Sequence, residues 1–214
     1  MTTKNIFLTV VILFLLNTVS YSQMKYGIFI NYGNSNFIEK NKEEAVVIGN
    51  KYTKLPSYTI GANIFYSLEA EKKCIFESGI SFTAISAKNT VAEDIASDSN
   101  FVGQSNWNEQ FYSIDVPLIF RYKFEKWVHI RAGVTNSFIL NEPKEITINK
   151  INHYTLSLTG GIDFLIKQKL IVGFNYYRNI TSLMQVLQTP NYSDTYDIKY
   201  YAEQISFKIG YIIN

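Results

Sequence analysis

The stretch that decides the fold is Tyr112–Phe124, which reads YSIDVPLIFRYKF. Apolar and aromatic residues occupy every second position, while Asp115, Arg121 and Lys123 fall on the positions between them. Because side chains alternate across a β-strand, the pattern predicts a strand with one apolar and one polar face. In a soluble sandwich the apolar face would form the core. In a membrane barrel that face would meet lipid, and the charged residues would point into the lumen.

The beginning of the chain has the features of an export signal. Lys4 supplies a positive charge, Ile6–Leu16 is a mostly apolar run, and Ser22 precedes a plausible cleavage point. This run is too short for a membrane-spanning helix, which needs about 20 residues. We therefore predict a cleaved signal peptide over residues 1–22 and one outer-membrane domain over residues 23–214.

The composition limits the partners that the chain would bind. Without Lys4, 19 basic residues (20 minus 1) stand against 18 acidic ones, and this balance argues against nucleic acid. The single Cys74 cannot form an internal disulfide. His129 and His153 lie on different predicted strands, so no set of three or four metal ligands is apparent. We expect no metal and no cofactor.

Alternating segments recur along the chain and predict eight strands, which suits residues rich in Tyr and Phe. These segments are Lys25–Gly33, Ser57–Glu69, Cys74–Ile85, Glu109–Phe124, Trp127–Ile139, His153–Phe164, Leu170–Thr181 and Glu203–Ile213. Many exceed the usual strand length of about 5–6 residues and approach the 9–11 of a tilted transmembrane strand.

The predicted connections alternate between short and long. The short ones are Ala70–Lys73, Glu125–Lys126 and Leu165–Lys169, and the long ones are Asn34–Pro56, Ser86–Asn108, Leu140–Asn152 and Ser182–Ala202. Outer-membrane barrels have short periplasmic turns, longer extracellular loops and an even number of strands. The pattern predicts an all-β fold, an eight-stranded antiparallel up-and-down transmembrane β-barrel.

The two faces of the predicted strands differ in charge. The apolar-face residues assigned to lipid, which end at Tyr176 on the seventh segment and begin at Ile205 on the eighth, include no charged residue. Tyrosines lie near the strand ends, as in the aromatic girdles of membrane barrels. The opposite faces are polar and small, and their charged residues are Glu77, Asp115, Arg121, Lys123, Arg131, Asp163 and Lys208. We predict that these residues form a charge network in a filled lumen, because an unpaired buried charge is costly. Pro117 cannot donate to a ladder, so we expect a bulge or a broken ladder there.

The segment around Pro117 also resembles a known family. It is similar to the mid-chain strand of the PorT-like ("porin family") outer-membrane β-barrel proteins of Gram-negative bacteria. The similar positions are Tyr112, Ile114, Asp115, Val116, Pro117, Leu118, Ile119, Arg121 and Tyr122. Gly160–Phe164 and Ile209–Tyr211 look like that family as well. The resemblance implies an outer-membrane barrel, and some members of the family are linked to a protein-secretion and gliding apparatus.

Three functions are compatible with the sequence. The first is a non-enzymatic structural or interaction barrel, an accessory of protein secretion, which contacts outer-membrane lipid and binds protein partners through loops or turns. Asn191–Tyr201 and Ser97–Trp107 are candidate recognition loops because they combine tyrosine or tryptophan with small polar residues. The second is a narrow porin lined by the lumen charges. The third is a lipid-acting enzyme with a His153–Ser157 pair. The oligomeric state stays open.

Overall fold

The computed structural model describes residues 24–40, 51–67, 73–94, 102–142, 150–191 and 194–213. The predicted signal peptide lies outside these residues. Within these residues the chain forms ten strands: β1 Met24–Lys40, β2 Lys51–Ser67, β3 Cys74–Asp94, β4 Val102–Lys123, β5 Val128–Ile139, β6 Lys150–Ile151, β7 Tyr154–Ile166, β8 Leu170–Asn179, β9 Met184–Asn191 and β10 Asp194–Ile213. Among the described residues, no helix is long and apolar enough to cross a membrane.

Eight of the strands form a closed antiparallel ring. The order around the ring is β1, β2, β3, β4, β5, β7, β8 and β10, and β1 pairs with β10 to close it. This pairing is continuous from Tyr26 opposite Ile213 to Lys40 opposite Lys199. The predicted eight-stranded antiparallel barrel is therefore confirmed.

The remaining two strands extend one side of the barrel. β9 pairs with the first part of β10, and the two-residue β6 pairs with β9. Between β8 and β9 the wall is interrupted at residues 180–183, beside a second interruption at Asn152 and His153. The Asn152 amide group joins the two by donating to the carbonyl and hydroxyl oxygens of Ser182, at 2.7 and 2.9 Å.

Short turns connect strands at one end of the barrel, which we call the turn end. Residues 124–127 join β4 to β5, as predicted, and residues 167–169 join β7 to β8. Lys167 and Gln168 have φ values of 48° and 58°, and the amide of Lys169 donates to the carbonyl of Ile166 at 3.1 Å. This is a tight three-residue connection whose two left-handed positions are occupied without glycine.

In three of the four long predicted loops, all but Leu140–Asn152, the described residues are largely strand, which corrects the sequence-based boundaries. β1, β2, β3 and β4 all continue beyond the predicted ends, and β3 and β4 pair as far as Asp94 and Val102. Most of Asn191–Tyr201 belongs to β10, so it is not a free loop. Part of Ser97–Trp107, the other candidate recognition segment, lies outside the described residues, and its described part belongs to β4.

The outward faces of the strands are apolar between two aromatic levels. Across β1, β2 and β4, Tyr32, Tyr58 and Tyr112 stand at neighbouring registers, with Ala84 of β3 between the last two. We call these three residues the tyrosine row. From Tyr112 to Tyr122 is roughly 34 Å along β4, or roughly 24–28 Å at the tilt of barrel strands. That span matches the height of about 25 Å that is typical of the apolar belt in outer-membrane barrels. We call the outward surface between these levels the apolar band.

Pro117 interrupts the ladder without shifting it. Leu118 pairs with Ser78 and Asp115 with Ser81, but the two residues between them on β4 have no ladder partner on β3. On its other side Pro117 pairs with Thr135 of β5. The prediction of a locally broken ladder is confirmed, and no bulge is present because the register is the same on both sides.

Beyond the tyrosine row the two faces exchange character. On the outside the exposed residues become polar, as at Asn34, Lys54, Asn108 and Gln110. We call this part of the barrel the rim. On the inside of the rim, buried apolar side chains pack together, and we call them the rim cluster: Phe37, Ile85, Ala87, Phe111, Ile139, Leu183, Met184, Tyr200 and Ala202.

Candidate functional site in the barrel lumen

The inward residues of β4 show how the lumen changes from the rim to the turn end. Phe111 lies in the rim cluster, and Asp115 lies in a layer of hydroxyl and amide groups. Arg121 lies in a layer of ion pairs, and Lys123 reaches a cavity at the turn end. The lumen is thus built in four layers, and each holds a different kind of side chain.

The ion pairs join strands on different sides of the barrel. Nη2 of Arg121 lies 2.6 Å from Oε2 of Glu77, and Nη1 lies 2.8 Å from Oδ2 of Asp163. Nε of Arg131 lies 3.1 Å from Oδ2 of Asp163. Nζ of Lys208 lies 3.4 Å from Oε1 of Glu77. We call these five buried residues the ionic layer, in which three cations share two carboxylates.

Neighbouring groups shape the ionic layer. The Arg121 guanidinium lies 5.0 Å from the ring centre of Phe65, and the Lys208 ammonium lies 5.0 Å from that of Phe29, both within cation–π distance.

A β-carbon at Gly173 would overlap Oδ1 of Asp163, so glycine leaves the space that this carboxylate occupies. Two amide side chains also contact the layer, that of Asn63 on Glu77 and that of Asn175 on Arg131.

His129 adjoins the ionic layer on the turn side. Its Nδ1 lies 3.3 Å from Nη1 of Arg121, and the ring is almost fully buried. A guanidinium can only donate, so Nδ1 accepts, and in the neutral ring the proton is placed on Nε2. Within the described part of the chain Nε2 has no hydrogen-bond partner.

The other two predicted network residues, Asp115 and Lys123, lie in different layers of the lumen from these five. Asp115 accepts hydrogen bonds from the hydroxyls of Thr83 at 2.5 Å and Ser113 at 2.8 Å. Its layer also contains the Thr135–Thr159 contact at 2.8 Å. Lys123 lies at the turn end of the lumen. The seven charges predicted from sequence therefore occupy three layers.

Little space remains within the polar layers. The cavity there measures about 60 Å³ and is lined by residues that include Asn63, Asp115 and Lys208. This volume holds a few water molecules at most. On the rim side, the Phe37 and Phe111 rings from opposite walls meet with centroids 5.5 Å apart. The described side chains therefore fill the lumen from the ionic layer to the rim cluster.

The turn end is more open. A cavity of about 660 Å³ lies there, with Lys25, Lys73, Lys123 and Lys126 among its lining residues. Its apolar lining comprises Phe65, Ile75, Phe124, Leu165 and Ile212. We call this space the turn-end cavity. The cavity was not predictable from the sequence, because it depends on which residues of seven different strands converge at one end.

The His153–Ser157 pair considered from the sequence is not assembled. His153 is exposed, with Nδ1 3.3 Å from the carbonyl oxygen of Ile139 and Nε2 3.5 Å from Oε1 of Glu142. Ser157 is buried in the lumen and donates to Oδ1 of Asn179 at 2.8 Å. The base and the nucleophile therefore have other partners. In the described residues, no group of three or more His, Cys, Asp or Glu side chains is placed to hold a metal ion.

The chain is similar to several solved outer-membrane proteins at low sequence identity. Family models and curated proteins provide no match to the chain. Among solved structures, the chain is similar to the outer membrane protein OprG from Pseudomonas aeruginosa, with 12% identity and a TM-score of 0.43 over 88% of this chain and 96% of that one. It is also similar to Neisserial surface protein A, with 9% identity and a TM-score of 0.44 over 87% and 96%. For the outer membrane protein AlkL the values are 11% identity and a TM-score of 0.48 over 92% and 93%. At these values the fold assignment rests on the strand pairing of the chain itself.

Proposed function

We propose that this protein is a non-enzymatic outer-membrane β-barrel with a closed lumen, which acts through structural and binding contacts at its two ends. The observation that carries the proposal is the ionic layer, because it joins strands that are not neighbours in the ring, β4 with β7 and β10 with β3, and only about 60 Å³ remains in the polar layers. Eight-stranded barrels generally have interiors just wide enough for side chains.

The apolar band supports placement in a bilayer. Its outward residues include Ile30, Ile60 and Phe120, which are 50%, 57% and 58% exposed. An exposed apolar belt that encircles a barrel is costly in water and suits lipid. Export through a signal peptide over residues 1–22 belongs to the same proposal, and fractionation of cells into inner and outer membranes tests it.

Conductance measurements test the closed lumen. We expect the mature protein in planar lipid bilayers to give no stable conductance steps, with a known porin as the positive control. Removing charge from the ionic layer by Arg121→Ala is expected to admit water and ions. Steady conductance from the unmodified protein would contradict the closed lumen and favour the alternative of a narrow porin.

The resemblance of Tyr112–Tyr122 to PorT-like proteins is the basis for a more specific role as an accessory of protein secretion. The partners would bind the rim, where β3 and β4 pair beyond the apolar band, or the turn end. Affinity purification from outer membranes after chemical cross-linking tests this role. Recovery of components of a secretion apparatus is expected, and their absence from repeated purifications of folded barrel would count against it.

A further inference from the structure

The turn-end cavity combines cationic and apolar groups in one enclosure. Lys25, Lys73, Lys123 and Lys126 contribute positive charge, and Glu125 is the one carboxylate among the described residues that line it. Arg121 also reaches the cavity, but it pairs with Glu77 and Asp163 in the ionic layer. Outside that layer, the described lining therefore holds four lysines and one carboxylate.

The apolar part of the lining is a packed surface. Phe65 and Ile212 belong to a buried cluster, against which Ile75 and Leu165 pack while still lining the cavity. A free inorganic anion would use only the lysines and leave this surface wet. A neutral hydrocarbon would use only the apolar residues. A molecule with an anionic head and a hydrocarbon chain uses both.

We propose that the turn-end cavity binds an amphiphilic anion, that is, a phosphate or carboxylate head attached to a hydrocarbon chain. The head contacts the lysines, and the chain lies against Phe65, Ile75, Leu165 and Ile212. The volume of about 660 Å³ falls within the range of about 300–1,000 Å³ that is typical of small-molecule sites. This site would exist whether or not the lumen beyond the ionic layer conducts, so its test is independent of the conductance test.

The experiment is calorimetric titration of the full mature barrel in phosphatidylcholine nanodiscs, with empty nanodiscs as the reference. Hexyl phosphate is the probe, and inorganic phosphate and hexanol each supply one half of it. We expect saturable binding of hexyl phosphate that is at least tenfold tighter than that of either half. Shortening the probe to butyl phosphate should weaken binding by about fourfold for each buried methylene removed. Equal binding of inorganic phosphate and hexyl phosphate would overturn the proposal.

A matched pair of variants locates the site. Lys25→Gln with Lys126→Gln removes two lysines from the lining, and we expect a loss of about twofold to fivefold for each. Lys167→Gln with Lys169→Gln removes the same charge from the same end but outside the lining. Equal losses in the two double variants would overturn the assignment to the cavity, and so would an absence of saturable binding by the unmodified barrel.

Two sources of the ligand are separable in the same assay. If the membrane supplies the anionic head, adding phosphatidic acid to the nanodiscs should lower the apparent affinity for hexyl phosphate. If the natural ligand is a soluble amphiphile, the added lipid leaves that affinity unchanged. Both results support the site. A lowered affinity identifies the membrane as the source of the ligand, and an unchanged affinity identifies a soluble amphiphile.

Discussion

The apolar band and the rim are formed by the same strands but have opposite radial order. In the band, apolar residues point outward and charged residues point inward, as at Ile30 and Arg121. In the rim, polar residues such as Asn34 point outward, while Phe37 and Phe111 pack inside. The alternation of side chains never changes, so it cannot cause the difference. The residue types change at the tyrosine row, which indicates that the surrounding solvent changes there from lipid to water.

The ionic layer and the rim cluster should respond differently when one of their side chains is replaced. A buried ion pair depends on its counter-charge, whereas an apolar cluster depends on volume. The outer surfaces should differ as well, because lipid penalises a charge and water does not. Three substitutions test these differences, from the largest expected effect to the smallest.

The largest effect is expected in the ionic layer. Glu77→Gln leaves Arg121, Arg131 and Lys208 with Asp163 as the remaining carboxylate, and removing one partner of a buried pair costs about 3–5 kcal/mol. The measurement is urea-induced unfolding of the refolded barrel in micelles. The double variant Glu77→Gln with Arg121→Gln restores the charge balance and should lose less stability than Glu77→Gln alone. A larger loss in the double variant would show that packing, and not charge, dominates this layer.

A smaller effect is expected on the outer surface of β1, where two positions six residues apart differ in their surroundings. Ile28→Lys places a charge near the middle of the apolar band and should lower the free energy of unfolding in bilayers by about 2–4 kcal/mol. Asn34→Lys lies beyond the tyrosine row and should change it by no more than about 0.5 kcal/mol. Similar values for the two variants in lipid vesicles would mean that the tyrosine row is not the boundary of the lipid.

In the rim cluster we expect the smallest of the three losses. Leu183 is 1% exposed, and Leu183→Ala should lower the free energy of unfolding by about 2–3 kcal/mol. This is near the low end for buried leucines, because the rim side chains can partly close the space that the substitution leaves. Leu140→Ala is the control, since Leu140 is exposed on the rim side of β5. Equal unfolding free energies for the two variants would show that the rim cluster is not a packed core.

Much of the band was predictable, because one long strand reveals its period and its two faces. The five residues of the ionic layer were recognisable as inward-facing, because the alternation within each strand fixes the direction of their side chains. Which of them pair could not be predicted, because pairing depends on registers between strands that are distant in sequence.

The rim could not be predicted, for a different physical reason. In the band a strand is recognisable by its apolar outward face, and that face ends at the tyrosine row. The alternation itself continues, and following the inward positions past Ser113 of β4 and Gln204 of β10 leads to Phe111 and Tyr200. β9 is too short and too polar to be separated from a loop by its sequence.

On one side of the barrel, the interruption at residues 180–183 separates the wall into a lower and an upper piece, and the two pieces meet different structural requirements. Below it, β7 and β8 must present apolar residues to the outside and keep their register with the rest of the ring. Above it, β9 pairs with β10 and β6, and the side-chain amide of Asn152 bridges the gap. β10 pairs with β8 in the lower piece and with β9 in the upper one, so a change in the length of the β9–β10 hairpin leaves the pairing of β8 with β10 in place.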